Sequence, residues 1–181
     1  MQINNRKLLD IFQFLLVFTL LGIPLYWFIA SDIDLYAVEL VQAGIVAKMI
    51  SLSGYSVSIT DTISLESLTK VPIVLVEGFE TGIGIDRACT GYRSLYAFFA
   101  LVVASPRTKW KRKLRGLFSG VLVISFFNII RLYSTSMTGV LFGFDALEIM
   151  HTVLWRYGML ALVLVLWYLW LKKSAVSHHL V

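Results

Sequence analysis

Arg107-Thr108-Lys109-Trp110-Lys111-Arg112-Lys113-Leu114-Arg115 carries six lysines and arginines in nine residues, and an apolar run from Leu117 to about Thr138 follows almost at once. A helix needs roughly 20 residues to cross the hydrocarbon core of a bilayer, and this run supplies them. Dense basic clusters beside a span stay on the cytoplasmic side, so the cluster also predicts the direction of the helix. The chain has 181 residues, is 58% apolar and has a mean hydropathy of +0.79, which is too apolar for a soluble domain of this size. Backbone polar groups must be satisfied within lipid, so helices are expected; the apolar runs are continuous, not alternating, which argues against a β-barrel. The net charge of +5 does not point to nucleic acid, because the basic residues gather at the ends of apolar runs.

Working outward, Pro106 ends an apolar run that begins at Tyr92, and about residues 89–105 are read as a span entering the basic loop. Beyond the central span (117–138), a loop with Asp145 and Glu148 leads to a span over about 151–171, which returns to Lys172 and Lys173. Near the N-terminus, Arg6 and Lys7 precede a span over about 8–30. That stretch is longer than a signal-peptide core and no small-x-small cleavage site follows, so it is read as an anchor. A single polytopic membrane domain over 1–181 results: a membrane all-α helical bundle of about four transmembrane helices, with both termini in the cytoplasm.

Residues 31–88 then form an extracytoplasmic segment holding eight of the eleven acidic residues (Asp32, Asp34, Glu39, Asp61, Glu66, Glu77, Glu80 and Asp86). Leu35, Val38, Val41, Ile45, Met49 and Leu52 recur at helical spacing, interrupted by Glu39, Gln42 and Lys48, which predicts an amphipathic helix at the interface. Tyr55 to Thr60 alternates with period two, and Pro72–Glu77 and Gly82–Asp86 are further strand candidates punctuated by Gly78, Gly82 and Gly84. A small extracytoplasmic β-element is expected ahead of the cysteine.

This topology brings Cys89, Arg131 and His151 to the outer ends of three spans. Cys89 is the sole cysteine, so it makes no internal disulfide. At the start of a helix its thiolate is favoured by unpaired N–H groups and the helix dipole, with Thr90 as N-cap and Gly91 keeping the backbone open. The alternative is a small buried thiol. Arg131 lies within an apolar run, where a guanidinium is costly, and Ser125, Asn128, Arg131 and Thr135 share one helix face. It is read either as fixed positive charge for a thiolate and an oxyanion, or as a snorkelling arginine with Asn128 joining helices. His151 has the chemistry of a general base, with Glu148 one turn earlier to orient it; the alternative is a polar helix terminus. Arg93 is expected to assist the site, bind a substrate carboxylate or snorkel. His178 and His179 receive no role. No Cys/His spacing fits zinc, and neither a metal nor a cofactor is expected.

Three motifs in this order, Ala88-Cys89-Thr90-Gly91-Tyr92-Arg93, Asn128-Ile129-Ile130-Arg131 and His151 at the head of the final helix, make the chain resemble the exosortase/archaeosortase family of membrane cysteine transpeptidases. The likeness is to its short forms. The resemblance implies Cys89 as nucleophile, Arg131 as the essential arginine and His151 as the third member. It further implies secreted substrates bearing a C-terminal sorting signal (a short motif, a transmembrane helix and a basic tail), a thioester acyl-enzyme, and transfer to a surface acceptor such as a lipid or polysaccharide. The enzyme is expected in the cell membrane, its site on the extracytoplasmic side. Two other readings use the same residues: a non-catalytic assembly factor for surface polymer or protein export, in which Cys89→Ser is silent and the thiol ignores alkylating reagents, and a lipid acyltransferase.

Overall fold

The structure is a computed structural model and describes residues 5–31, 33–63, 69–79 and 81–176. Asp32, Glu66, Glu80 and the His178–His179 tail lie outside the described residues. In chain order the elements are α1 (Asn5–Ala30), α2 (Tyr36–Leu52), β1 (Val57–Ile63), β2 (Lys70–Val76), β3 (Ile83–Gly84), α3 (Tyr92–Ala104), α4 (Trp110–Phe142), α5 (Phe144–Ile149) and α6 (Trp155–Val176). A 3-10 turn at Arg87–Thr90 precedes α3, and a π-helical turn at Met150–Leu154 joins α5 to α6.

The fold is mostly helical with one small sheet. Three stretches among the described residues are long and apolar enough to cross a bilayer: Asn5–Phe28, Trp110–Phe142 and Phe144–Lys173. The span expected over 89–105 contains the 13-residue α3, which rises about 20 Å and is shorter than the other apolar helices. The shortening has a local cause. Gly91 adopts the left-handed conformation, with φ 78°, and separates the cysteine turn from the helix, while Pro106 lies just past the other end.

The chain divides into two compact units. One contains α1, α3, the first part of α4 and the second part of α6. Arg107 ties its polar end, donating from Nε to Asp10 Oδ1 at 2.9 Å. Lys113 Nζ donates to Val103 O at 2.6 Å, and Trp167 Nε1 donates to Ser105 Oγ at 3.1 Å. Large apolar side chains such as Phe12, Phe118 and Leu164 face outward from its helices, a surface that lipid solvates without the cost it carries in water.

The other unit contains α2, the sheet, the cysteine turn, the second part of α4, α5 and the start of α6. Its strands run in the order β1-β2-β3. Antiparallel pairing runs from Val57↔Val76 to Ile63↔Lys70, and β3 adds Ile73↔Gly84 and Val74↔Ile83. The third strand is shorter than expected because Asp86 leaves it to cap the cysteine turn. Ala43, Val46 and Ile50 of α2 pack on Val74, Val76 and Ile85, with Cys89 and Leu132 in the same core. Tyr36 Oη donates to Asp61 Oδ1 at 2.8 Å, and Ser53 Oγ lies 2.7 Å from Tyr133 Oη.

The helix expected near 35–53 is present, and the face it buries against the protein is a different one from the apolar stripe expected at the interface. Val38, Val41, Ile45 and Leu52 are exposed, and Glu39, Ala43, Val46, Ala47 and Ile50 are buried. Ala43, Val46, Ala47 and Ile50 of this face share the core with the sheet residues Val74 and Val76.

Glu39 is only 4% exposed, and its Oε2 has no hydrogen-bond partner among the described residues. Burial, then the carboxylates of Asp86 and Asp34, push its pKa from 4.5 up to about 7, against a lowering by Arg87. The folded state therefore holds an extra proton between pH 4.5 and about 7, and stability falls as pH rises through that window. Glu39→Gln is expected to flatten this slope and stabilise the protein by about 1 kcal/mol at pH 8, allowing for water around the exposed neighbours. Thermal unfolding in detergent from pH 4 to 8 checks it; an unaltered slope would exonerate the carboxyl.

Candidate active site

The site is built on the turn Arg87–Thr90. Asp86 Oδ1 accepts from Cys89 N at 3.0 Å, and Asp86 O accepts from the same N–H at 2.9 Å. This Asp cap fixes the turn and holds the sulfur at its end. Thr90 is not the N-cap of α3: it lies within the turn, and its Oγ1 donates to Arg87 O at 2.8 Å. Gly91 then reverses the chain. A Cβ there would sit 2.9 Å from Asn128 Cγ, so both the left-handed backbone and the close approach of Asn128 require glycine.

Asn128 is 1% exposed, and its Nδ2 donates to Cys89 O at 2.9 Å. From α2, Gln42 Nε2 donates to Thr90 O at 3.1 Å. The carbonyl of the cysteine and the next one are thus each held by a side-chain amide. Three residues along α4, on the same face, Arg131 Nη1 donates to Asn128 Oδ1 at 3.3 Å. Its Nη2 lies 3.0 Å from His151 Nε2, and Cys89 Sγ lies 3.9 Å from that same nitrogen.

These contacts assign the imidazole. A guanidinium has donors only, so Nε2 must be the acceptor, and the ring is neutral with its proton on Nδ1. The Nε2 lone pair is therefore shared between Arg131 and the thiol. His151 itself sits in the π-helical turn, not on the first turn of α6; π turns within helices frequently mark functional positions.

The expected preformed thiolate is not what the surroundings favour. Burial first, then the Asp86 carboxylate, push the Cys89 thiol from 9.0 up to about 12, while Arg131 lowers it. A four-residue turn lacks the macrodipole of a long helix, and Cys89 is 8% exposed. A cavity of about 420 Å³ opens beside it, with Gly84, Asp86, Cys89, Thr135, Phe144 and His151 among its lining residues.

The family model for the transmembrane exosortases (Exosortase_EpsH) matches residues 3–171, nearly the whole chain. The chain belongs to the transmembrane exosortase family. No match was found among curated proteins or solved structures.

Not every residue singled out from the exosortase sequence joins this cluster. Glu148 is exposed on α5, and no hydrogen bond from it to the imidazole is found among the described residues; Arg131 contacts the ring instead. Arg93 is exposed on the first turn of α3. Asp86 and Gln42 were missed. An Asp three residues before the cysteine is an N-cap signal, and a lone Gln in an apolar helix is the kind of residue that seeks a buried polar partner.

Proposed function

We propose that this exosortase is an integral-membrane cysteine transpeptidase or peptidase. Its substrates are secreted proteins with a C-terminal motif, a transmembrane helix and a basic tail; it cleaves them through a thioester and transfers them to a surface acceptor. The observation that carries the reading is the 3.9 Å approach of Cys89 Sγ to His151 Nε2, with Arg131 Nη2 on the same nitrogen at 3.0 Å.

At rest the base is occupied by Arg131 and the thiol is protonated. A substrate carbonyl in the cavity competes for the guanidinium, and as Arg131 turns toward that oxygen the Nε2 lone pair becomes free. The thiol proton passes to Nε2 and the sulfur attacks the carbonyl carbon. An S–C bond forms, and the carbonyl π pair moves to an oxyanion beside Arg131. Collapse breaks the C–N bond, and the leaving amine takes the proton from Nε2, leaving a thioester. An acceptor amine, hydroxyl or water then resolves the thioester by the reverse sequence. Arg131 lies 16 residues beyond Arg115. The positive-inside rule applied to the basic cluster thus supports an extracytoplasmic site.

Trapping tests this directly. Membranes containing the protein are mixed with a tagged reporter ending in such a signal and quenched in acid, and the Cys89 peptide is weighed. A base-labile adduct of the reporter's N-terminal portion is expected. A lipid-acyl mass would favour the acyltransferase, and processing that persists in Cys89→Ser with no adduct would favour the assembly factor.

A further inference from the structure

Gly84 has no internal reason to be glycine. The left-handed glycines are Gly54, Gly78, Gly91 and Gly143, not Gly84, and a Cβ built on it meets nothing closer than Val71 Cγ1 at 3.9 Å, an ordinary contact. Gly82 differs: a Cβ there would lie 2.3 Å from Ile73 Cγ2 and 2.8 Å from Leu75 Cδ2, so packing alone excludes a side chain. Yet Gly84 borders the cavity that Cys89 and His151 share. A glycine that neither backbone nor packing requires, on the wall of that cavity, leaves room for a ligand to approach the main chain.

The main chain there is oriented to receive one. Ile85 N–H donates to Pro72 O at 3.0 Å, and alternate residues of an antiparallel strand turn their amides to opposite sides. Gly84, facing Ile73 in the register, therefore points its N–H and C=O away from β2. β3 is one of the two outer strands of the sheet, and such an edge is a template for another extended chain. On the α4 side Thr135, 6% exposed, lines the same cavity, and its Oγ1 has no hydrogen-bond partner among the described residues.

We infer, resting on the peptidase reading above, that the substrate segment beside the scissile bond lies extended along the outer edge of β3. It exchanges main-chain hydrogen bonds with Gly84, takes the hydroxyl of Thr135, and so presents its carbonyl to Cys89. The same cavity borders this edge and the reacting pair, which is why its occupant is the chain being cut.

Processing of the tagged reporter is compared for the full-length protein and for Gly84→Ala, Gly84→Val and Thr135→Val. Each variant is checked for thermal unfolding and for alkylation of Cys89 by a small haloacetamide at pH 10. Unfolding and alkylation are expected to stay as in the unaltered protein, while processing falls several-fold for Gly84→Ala and Thr135→Val and at least tenfold for Gly84→Val. In a Cys89→Ala background, Gly84→Cys is expected to form disulfides only with reporter cysteines placed within about two residues of the cleavage site, the reach of one strand pairing. Gly84→Val processing at the unaltered rate, or crosslinks spread evenly along the reporter, would overturn the strand. A protein that neither processes the reporter nor forms a thioester would instead remove the peptidase reading, and the crosslink pattern would still decide where the chain binds.

Discussion

Arg131→Ala and Arg131→Lys are each expected to lower reporter processing on the order of 10³-fold, and Cys89→Ala to abolish it, with all three proteins accumulating normally. The arginine is asked for several things at once. Its Nη1 holds Asn128 Oδ1 at 3.3 Å, and Asn128 in turn holds Cys89 O at 2.9 Å, so the turn bearing the sulfur is positioned through it. Its Nη2 assigns the tautomer of His151, and in the proposed mechanism its charge faces both the developing thiolate and the oxyanion. Removing one oxyanion donor costs about 10²–10³ in rate, and disturbing the base adds to that. Lysine keeps the charge but is a point donor on a flexible stem, unable to span two acceptors in a planar fork. Measured turnover of the lysine variant is therefore the sharper reading: near-normal rates would show that charge alone suffices and that the two-acceptor geometry is incidental.

The second large effect concerns the resting thiol. In substrate-free protein, Cys89 is expected to react with a water-soluble haloacetamide about 10²-fold more slowly than free cysteine at pH 7.5, with the rate still climbing above pH 10. Raising the thiol from 9.0 to about 12 cuts the thiolate fraction about 1,000-fold. The greater nucleophilicity of a more basic thiolate restores roughly tenfold of that. His151→Ala is expected to leave this slow rate nearly unchanged while lowering processing by 10²–10⁴-fold, since in the proposed mechanism the imidazole acts only once substrate has drawn Arg131 off its lone pair. Rapid alkylation at neutral pH, abolished by His151→Ala, would instead reveal a standing thiolate–imidazolium pair. A sluggish thiol had been the expected mark of a non-catalytic protein. With the sulfur buried beside Asp86, the proposed peptidase shares that behaviour, and the trapped adduct and the cysteine variants separate the two.

Much of the site was legible because its residues violate their surroundings. Arg131 stands in an apolar run, where charge is penalised, and Cys89 is the sole thiol. Position along the chain also failed at particular points. Glu148 precedes His151 by three residues, yet the π turn carries the ring to Arg131. Gln42 and Asp86 are 47 and 3 residues from Cys89, and one polar residue in an apolar helix does not say which backbone carbonyl it will meet.

Hydropathy and the clustering of charge were enough to establish a helical membrane protein and its long apolar helices, because those properties depend on length and composition along the chain. Which face of α2 is buried, where α3 begins, and which group holds the imidazole were decided by packing. α2 is apolar on most sides, so the sheet selects the face with the small alanines; Gly91 ends the cysteine turn because Asn128 fills the space beside it; and the thiol stays protonated because the fold closes apolar walls and a carboxylate around it.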